Sequence, residues 1–491
     1  MIKLIRNELT KQFKKKFLLV MAIIAICFSL TTNLLNKKYA YPSPTIEDIN
    51  MMIGWYEEDY KYYENNKIIK DDTIYYENST MVNDDTTYVA SITASLKRYQ
   101  LVLNYDLDSW QSYVILNHQT FYNIMEQIAI YELGAQAQNP QDGIMEALQY
   151  NKDELERLIK LLDKNDWRYF VETELREIQN DGSAYSKANK QTLEWRLEYD
   201  IAYGYNYQNH ILANYAYNYE MAKDYENMSD KEKEKMDYEQ KKYIYQAIEE
   251  TNKIEYDIKN QTNYFDDYSP TNIVIDAAST YMVLLIVIAV VVAGTIVAEE
   301  FNKGTIKLLL IRPFSRLKII TSKFIAAIAI LLASIVVLYV IQFFIAGIIW
   351  GFKNYSLTTI VFNFNTMSLA TTNIFGVLIM NLLALMPQFI LMLSLAFALG
   401  TLFNNSAIAI GVSLLGLFAS EIINQFTLML NIQWLKYFVT INWNLTPCLN
   451  GGLPLLKGLN IGFSLLICLI YFLIMIITSF IVFKKRNIKN I

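Results

Sequence analysis

Thiols and imidazoles are nearly absent from this chain, whose 491 residues hold three cysteines and two histidines. Cys27, Cys448 and Cys468 fall in or beside apolar segments, and His118 and His210 have no cysteine near them. Neither a disulfide framework nor a Cys/His zinc site is expected. No Gly-x-x-x-x-Gly-Lys-Ser/Thr run is present to cradle a phosphate, and neither a Gly-x-Ser-x-Gly elbow nor a His-Glu-x-x-His motif occurs. The paired carboxylates Asp71-Asp72, Asp84-Asp85 and Asp266-Asp267 lack the ligand spacing of a calcium loop and read as solvated acidic surface. These absences point away from an enzyme: no catalytic residue, no bound cofactor and no metal are expected.

Acidic charge is also missing from more than half of the chain. Residues 37–276 carry 44 Asp plus Glu against 24 Lys plus Arg, a net of −20, whereas the remainder carries 4 against 19, a net of +15. An acidic segment is set into a basic body. A polyanion needs a basic footprint, so the acidic segment argues against a nucleic-acid partner.

Long apolar runs are abundant in that body. Residues 17–35, 277–298, 324–350, 374–400, 407–423 and 459–483 are each long and apolar enough to cross a lipid membrane, which predicts an all-α polytopic membrane protein with six transmembrane helices. The first run is longer than a secretory h-region, and Thr31-Thr32-Asn33 is no small-x-small cleavage site, so it reads as an uncleaved anchor. Placing both termini (the tail being 484–491) and the turn 299–323 in the cytoplasm puts 16 of the body's 19 basic residues inside and leaves Lys353, Lys436 and Lys457 outside. Residues 36–272 are then extracellular. A Lys/Asn/Ile-rich vocabulary without organellar signals suits a bacterial plasma membrane.

Residues 1–16 place Ile2, Ile5, Leu9 and Phe13 on one helical face and Lys3, Arg6, Lys11, Lys14, Lys15 and Lys16 around the rest. This pattern predicts an amphipathic helix in the headgroup plane, with a plain basic flank as the alternative. Residues 424–458 interleave Trp434, Tyr437, Phe438, Trp443, Pro447 and Pro454 with polar residues, as an outer interfacial or re-entrant segment does. Glu421, Gln342 and Gln388 are polar residues in or near the spans and candidates for a substrate pathway, Glu421 equally for a boundary position. Pro387 is expected to kink the fourth span.

The acidic segment holds 31 of the 36 tyrosines and only four prolines, at positions 42, 44, 140 and 270. Leu148, Leu155, Leu158, Ile159 and Leu162 form one apolar helical stripe, and Leu193, Leu197 and Ile201 form another. Ser229-x-x-Glu232 reads as a capping box opening a third helix with Met236, Tyr243, Ala247, Ile248 and Ile254 buried. A mostly helical domain follows. Trp167, Trp195, Tyr203 and Tyr205 are candidate ligand contacts there, because Trp and Tyr offer large surfaces with a polar handle; core packing is the alternative.

The turn 299–323 carries the most specific pattern: Glu300-Phe301-x-x-Gly304-Thr305-Ile306-x-x-Leu309-Leu310-x-x-Pro313-x-Ser315-Arg316, with Lys323-Phe324 opening the next span. Gly304 relaxes the backbone, Thr305 caps, and Pro313 ends a short helix whose apolar side is Ile306, Leu309 and Leu310. This run resembles the coupling region of type-2 ABC exporter permeases, residues 1–16 resemble that family's elbow helix, and 424–458 its re-entrant segment. The large insertion between the first two spans departs from the short loop common there.

The resemblance implies a permease half that pairs with a second, identical or different, permease and docks on a cytoplasmic ABC ATPase, with ATP and Mg bound on that partner. Leu309 and Leu310 would fill a groove on the ATPase, Arg312 and Arg316 would contact its rim, and Glu299 or Glu300 would anchor the turn. The family exports hydrophobic or amphipathic molecules. A ligand-capturing sensor or antimicrobial-peptide immunity module, using the large acidic domain, is the alternative.

Overall fold

The structure, a computed structural model, describes residues 1–70, 73–76, 85–135, 143–178, 181–305, 314–430 and 432–486. They form two compact units, one of residues 1–40, 227–253 and 263–491, the other of residues 41–226 and 254–262.

The first unit contains six helices long and apolar enough to cross a membrane: Lys16–Tyr39, Met282–Asn302, Arg316–Asn354, Ile374–Phe403, Ser406–Leu430 and Ile461–Lys485. Even the shortest, with 21 residues, rises about 32 Å at ~1.5 Å per residue, enough for a hydrocarbon core of roughly 30 Å. The chain is an all-α polytopic membrane protein. In the second and fourth spans 61% of the most apolar window is buried within the protein, against 17–22% in the first, fifth and sixth, so those two form the centre. Glycine permits their approach: a Cβ on Gly400 would lie 2.8 Å from the Gly294 carbonyl oxygen. In lipid, where apolar surface alone drives little association, such close backbone packing holds helices together.

Two spans run further than their apolar stretches. Ser315 caps the third, its Oγ accepting from the Lys318 amide, so the helix starts at Arg316 rather than at the apolar run beginning at 324. The fifth continues past Glu421, Asn424 and Gln425 to Leu430, because a helix needs only its backbone ladder: Glu421 and Gln425 are exposed, and the half-buried Asn424 amide donates to the Thr440 carbonyl. Between the third and fourth spans lies a hairpin, Thr358–Asn363 antiparallel to Ser368–Asn373, that the sequence reading did not contain.

The segment after the fifth span turns back into the bundle. Asn442 and Trp443 are buried, and the Leu445 amide donates to the Ala384 carbonyl at 3.0 Å, beside Pro387, whose ring nitrogen offers no donor to this stretch of helix. Ala384 lies about 15 Å along the fourth span from Ile374 at ~1.5 Å per residue, so these short helical turns reach well into its length.

Among its described residues the second unit is helical, with one small hairpin of Lys67–Lys70 and Thr73–Tyr76. Its main core gathers Ile49, Phe121, Leu158, Leu162, Phe170 and Leu193; a second gathers Trp195, Ile201, Tyr215, Ile254 and Ile258. Leu148, Leu158 and Leu162 of the first predicted stripe are buried, as are Leu193 and Ile201 of the second. The third predicted helix, most of which belongs to the first unit, needs correction. Ser229 does form a capping box with Glu232, but the helix it opens ends at Lys235, and a new one, Tyr238–Asn260, begins after Asp237, whose Oδ1 accepts from the Gln240 amide. Ala247 and Ile254 are buried as expected, but Ile244 takes the buried position expected of Tyr243, which is exposed.

Candidate functional site

Four acidic residues lie outside 37–276, and three of them, Glu8, Glu299 and Glu300, meet at one end of the membrane bundle. Lys323, fully buried near the start of the third span, donates to Glu8 Oε1 at 2.9 Å, to the Ile296 carbonyl at 3.1 Å and to Glu300 Oε1 at 3.3 Å. Lys11 also donates to Glu300 Oε1, and the Thr305 hydroxyl donates to Glu300 Oε2. Alongside, Lys15 donates to Glu299 Oε1 at 2.8 Å and to Thr295 Oγ1 at 3.2 Å, while Lys303 stands 3.4 Å from Glu299 Oε2.

The partners come from three helices. Glu8 and Lys11 lie on the amino-terminal helix Ile2–Phe13, Glu299 and Glu300 on the last turn of the second span, and Lys323 on the third span. Gly304, at φ +68°, turns the chain out of the second span in the left-handed conformation that glycine adopts without strain. The turn that leaves at Thr305 and returns at Phe314 is therefore tied at its base to both flanking spans and to the amino-terminal helix. Burying such charges costs several kcal/mol per ion, which only close mutual pairing offsets; removing one partner leaves a buried, uncompensated charge.

The amino-terminal helix docks by an unexpected face. Leu4, Glu8 and Gln12 are buried, whereas Ile2 and Phe13 of the predicted apolar stripe are exposed. The neighbouring surface explains this, because it presents Lys323 and Glu300, and only the Glu8/Lys11 side can satisfy them. A lone acidic residue in a basic segment was the sequence signal, since Glu8 is the only Asp or Glu among residues 1–46.

Arg316 faces the carboxyl-terminal end of the chain, its Nη1 donating to the Lys484 and Arg486 carbonyls at 3.0 and 2.8 Å. Arg486 in turn donates to the Thr401 and Leu402 carbonyls at 2.7 and 2.8 Å and to Asn404 Oδ1, capping the last turn of the fourth span, where a cation suits the helix dipole. Its guanidinium also lies 5.3 Å from the Phe301 ring centre. The ends of the second, third, fourth and sixth spans are thereby linked. Leu309, Leu310, Arg312 and Pro313 lie outside the described residues, as does Ile306.

The remaining candidates are scattered. Gln342 is buried toward the opposite end, its Oε1 accepting from Ser29 and Tyr281 hydroxyls at 2.6 Å each, so it joins the first and third spans to the entry of the second. Gln388 is buried beside Pro387, and Glu421 is exposed on the fifth span with Phe418 and Ile422. The four aromatic residues do not form one cleft. Tyr203 is buried with its hydroxyl on Glu174 at 2.6 Å, Tyr205 packs edge-on to Tyr113, Trp167 lies on the main core under Arg168, and Trp195 belongs to the second core. Among the described residues no cluster of His, Cys, Asp and Glu could hold a metal ion.

A six-helix membrane bundle with a charged knot at the base of one turn defines the class. Within that class the chain belongs to the DUF2705 family, described as protein of unknown function, which matches residues 244–489. "Uncharacterized protein YhcI" of Bacillus subtilis (strain 168) is 32% identical over 238 residues, 48% of this chain and 74% of that protein. "Uncharacterized membrane protein YdbK" of the same organism is 28% identical over 209 residues, 42% of this chain and 79% of that one. No solved structure matches. The matched region contains Glu299, Glu300 and Lys323, whereas Glu8 and most of the acidic segment precede it.

Proposed function

We propose that the chain is the membrane-spanning permease subunit of an ATP-driven ABC exporter, in a bacterial plasma membrane, with the turn 299–323 coupling it to a separate cytoplasmic ABC ATPase. The observation that carries this reading is the ionic knot of Glu8, Glu300, Lys11 and Lys323 at the base of that turn. A turn held by such a knot moves with its flanking spans rather than bending independently. Force delivered to the turn by ATPase closure passes to the second and third spans and the amino-terminal helix together. The second span lies at the centre of the bundle against the fourth, so its displacement alters the interior that substrate crosses.

In this reading ATP and Mg reside on the ATPase, the permease pairs with a second copy or a related chain, and the cargo is hydrophobic or amphipathic. The knot and both termini face the cytoplasm, and the acidic domain faces outward, in keeping with the distribution of basic residues. Affinity purification of the tagged chain, co-expressed with an ABC ATPase encoded beside it, tests the assembly. A stoichiometric complex that survives detergent is expected; recovery of the permease alone from every such pairing would refute the reading.

A further inference from the structure

Three helices each turn residues spaced one helical turn apart toward a single polar cavity of about 250 Å³, all of whose lining residues belong to the second unit. Ala184–Glu198 contributes Lys187, Gln191 and Trp195; Tyr207–Asn227 contributes Tyr215 and Tyr219; and Tyr238–Asn260 contributes Glu255 and Lys259. Spacing of i, i+4 and i+8 places each set on one face of its helix. Trp195 and Tyr215 are buried with ring centres 4.8 Å apart, and Tyr215 and Tyr219 are 5.7 Å apart, so one wall is a continuous aromatic surface.

The polar groups divide into those paired within the protein and those open to solvent, Lys187 being exposed and Gln191 half-buried. Glu255 is occupied: Oε1 accepts from the Tyr215 hydroxyl at 3.0 Å and Oε2 from Lys259 at 2.7 Å. Lys187 has no side-chain partner among the described residues, and neither does the Gln191 carboxamide. The cavity therefore offers a free ammonium and a free amide one turn apart, above an aromatic wall. Two lysines against one glutamate leave its lining with a net charge of +1.

An aromatic cage with a carboxylate would otherwise suit a quaternary ammonium. Here the Lys259 ammonium already stands 5.7 Å from the Trp195 ring centre, and Lys187 adds like charge. We infer that this cavity binds a carboxylate attached to a flat apolar body, with Lys187 and Gln191 holding the carboxylate and Trp195 and Tyr219 the body. Its volume, just below the ~300–1,000 Å³ of sites for drug-sized ligands, fits one aromatic residue and not a folded partner. A free aromatic acid and the carboxyl-terminal residue of a peptide present the same chemistry.

Calorimetric titration of the full chain in lipid nanodiscs tests this with N-acetylphenylalanine, its amide, the peptide N-acetyl-Gly-Gly-Phe, and tetramethylammonium. Saturable binding of a carboxylate probe is expected, with the amide at least tenfold weaker. Lys187→Gln, at an exposed position, should remove that tenfold preference, while Lys190→Gln, three residues on and outside the cavity, should leave it intact. Binding of the peptide but not of N-acetylphenylalanine assigns a peptide terminus; binding of both assigns the free acid as sufficient. No binding of either carboxylate, equal affinity for acid and amide, an unaltered Lys187→Gln variant, or preference for tetramethylammonium overturns the inference.

Discussion

Glu8 and Lys323 are separated by 315 positions in the chain and by 2.9 Å in space. This contact joins the amino-terminal helix to the third span, and through the second partner of Lys323, Glu300, to the second span. A turn between two membrane helices usually needs no such foundation. Its presence at the base of the turn between Thr305 and Phe314 is what the proposed coupling role requires.

Lys323→Met leaves Glu8 and Glu300 facing each other's charge without their shared ammonium. A loss of about 3–5 kcal/mol is expected, as for other broken buried pairs, read as a lower thermal midpoint in detergent. The double variant Glu8→Gln/Lys323→Met should recover part of that loss. Strict additivity of the two single effects would show that the contact contributes no coupling.

Gly400→Ala places a methyl group 2.8 Å from the Gly294 carbonyl oxygen, which backbone atoms cannot easily evade. The expected cost is about 1–3 kcal/mol, from overpacking at the centre of the bundle. Gly411→Ala is the control, since nothing lies within 4 Å of a Cβ there and alanine is the better helix former. Equal midpoints for the two variants would contradict the close crossing.

Glu132 links stability of the acidic domain to pH. Burial would raise its carboxyl, but hydrogen bonds from Lys152 and Lys97, each at 2.9 Å, outweigh burial and hold it below its ordinary value of 4.5. A depressed carboxyl stabilises the fold above the unfolded value, and that contribution fades as pH falls through the folded one. The thermal midpoint of the wild type should exceed that of Glu132→Gln at pH 7, with the gap closing below about pH 4. A gap that widens in acid would reverse the assignment.

Orientation is open to chemical labelling in a background where Cys27, Cys448 and Cys468 are replaced. Lys353→Cys should react with a membrane-impermeant maleimide in intact cells, and Lys303→Cys only after the cells are opened. The reverse pattern would place the charged knot outside and remove the coupling role.

Much of the membrane body was legible because apolar runs leave few choices: a segment of twenty or so such residues either spans a bilayer or is buried throughout. The ends were less legible. Polar helical turns such as 316–323 carry no hydropathy signal, and the drop at Glu421 resembles a span end although the helix continues to Leu430. In the acidic segment the restart at Asp237 was not legible; Ile244 rather than Tyr243 is buried there, although Ala247 and Ile254 keep their expected burial. Of the site, Glu299, Glu300, Gly304, Thr305 and Arg316 were readable from local pattern. Lys323 was visible only as the residue opening a span and Glu8 only as a lone acid in a basic segment; that the two meet was not, because neither composition nor spacing reports a contact across 315 residues. The cavity on Trp195 was hidden for the same reason, being assembled from three helices.

The most direct measurement is the ATP hydrolysis rate of the co-purified permease and ATPase, beside the same complex carrying Leu309→Asp. A carboxylate in place of a leucine that the resemblance assigns to the ATPase groove should abolish co-purification or uncouple the rate from the permease, while the variant still reaches the membrane. An ATPase that neither binds the wild-type chain nor changes its rate in its presence would contradict the coupling role of the turn.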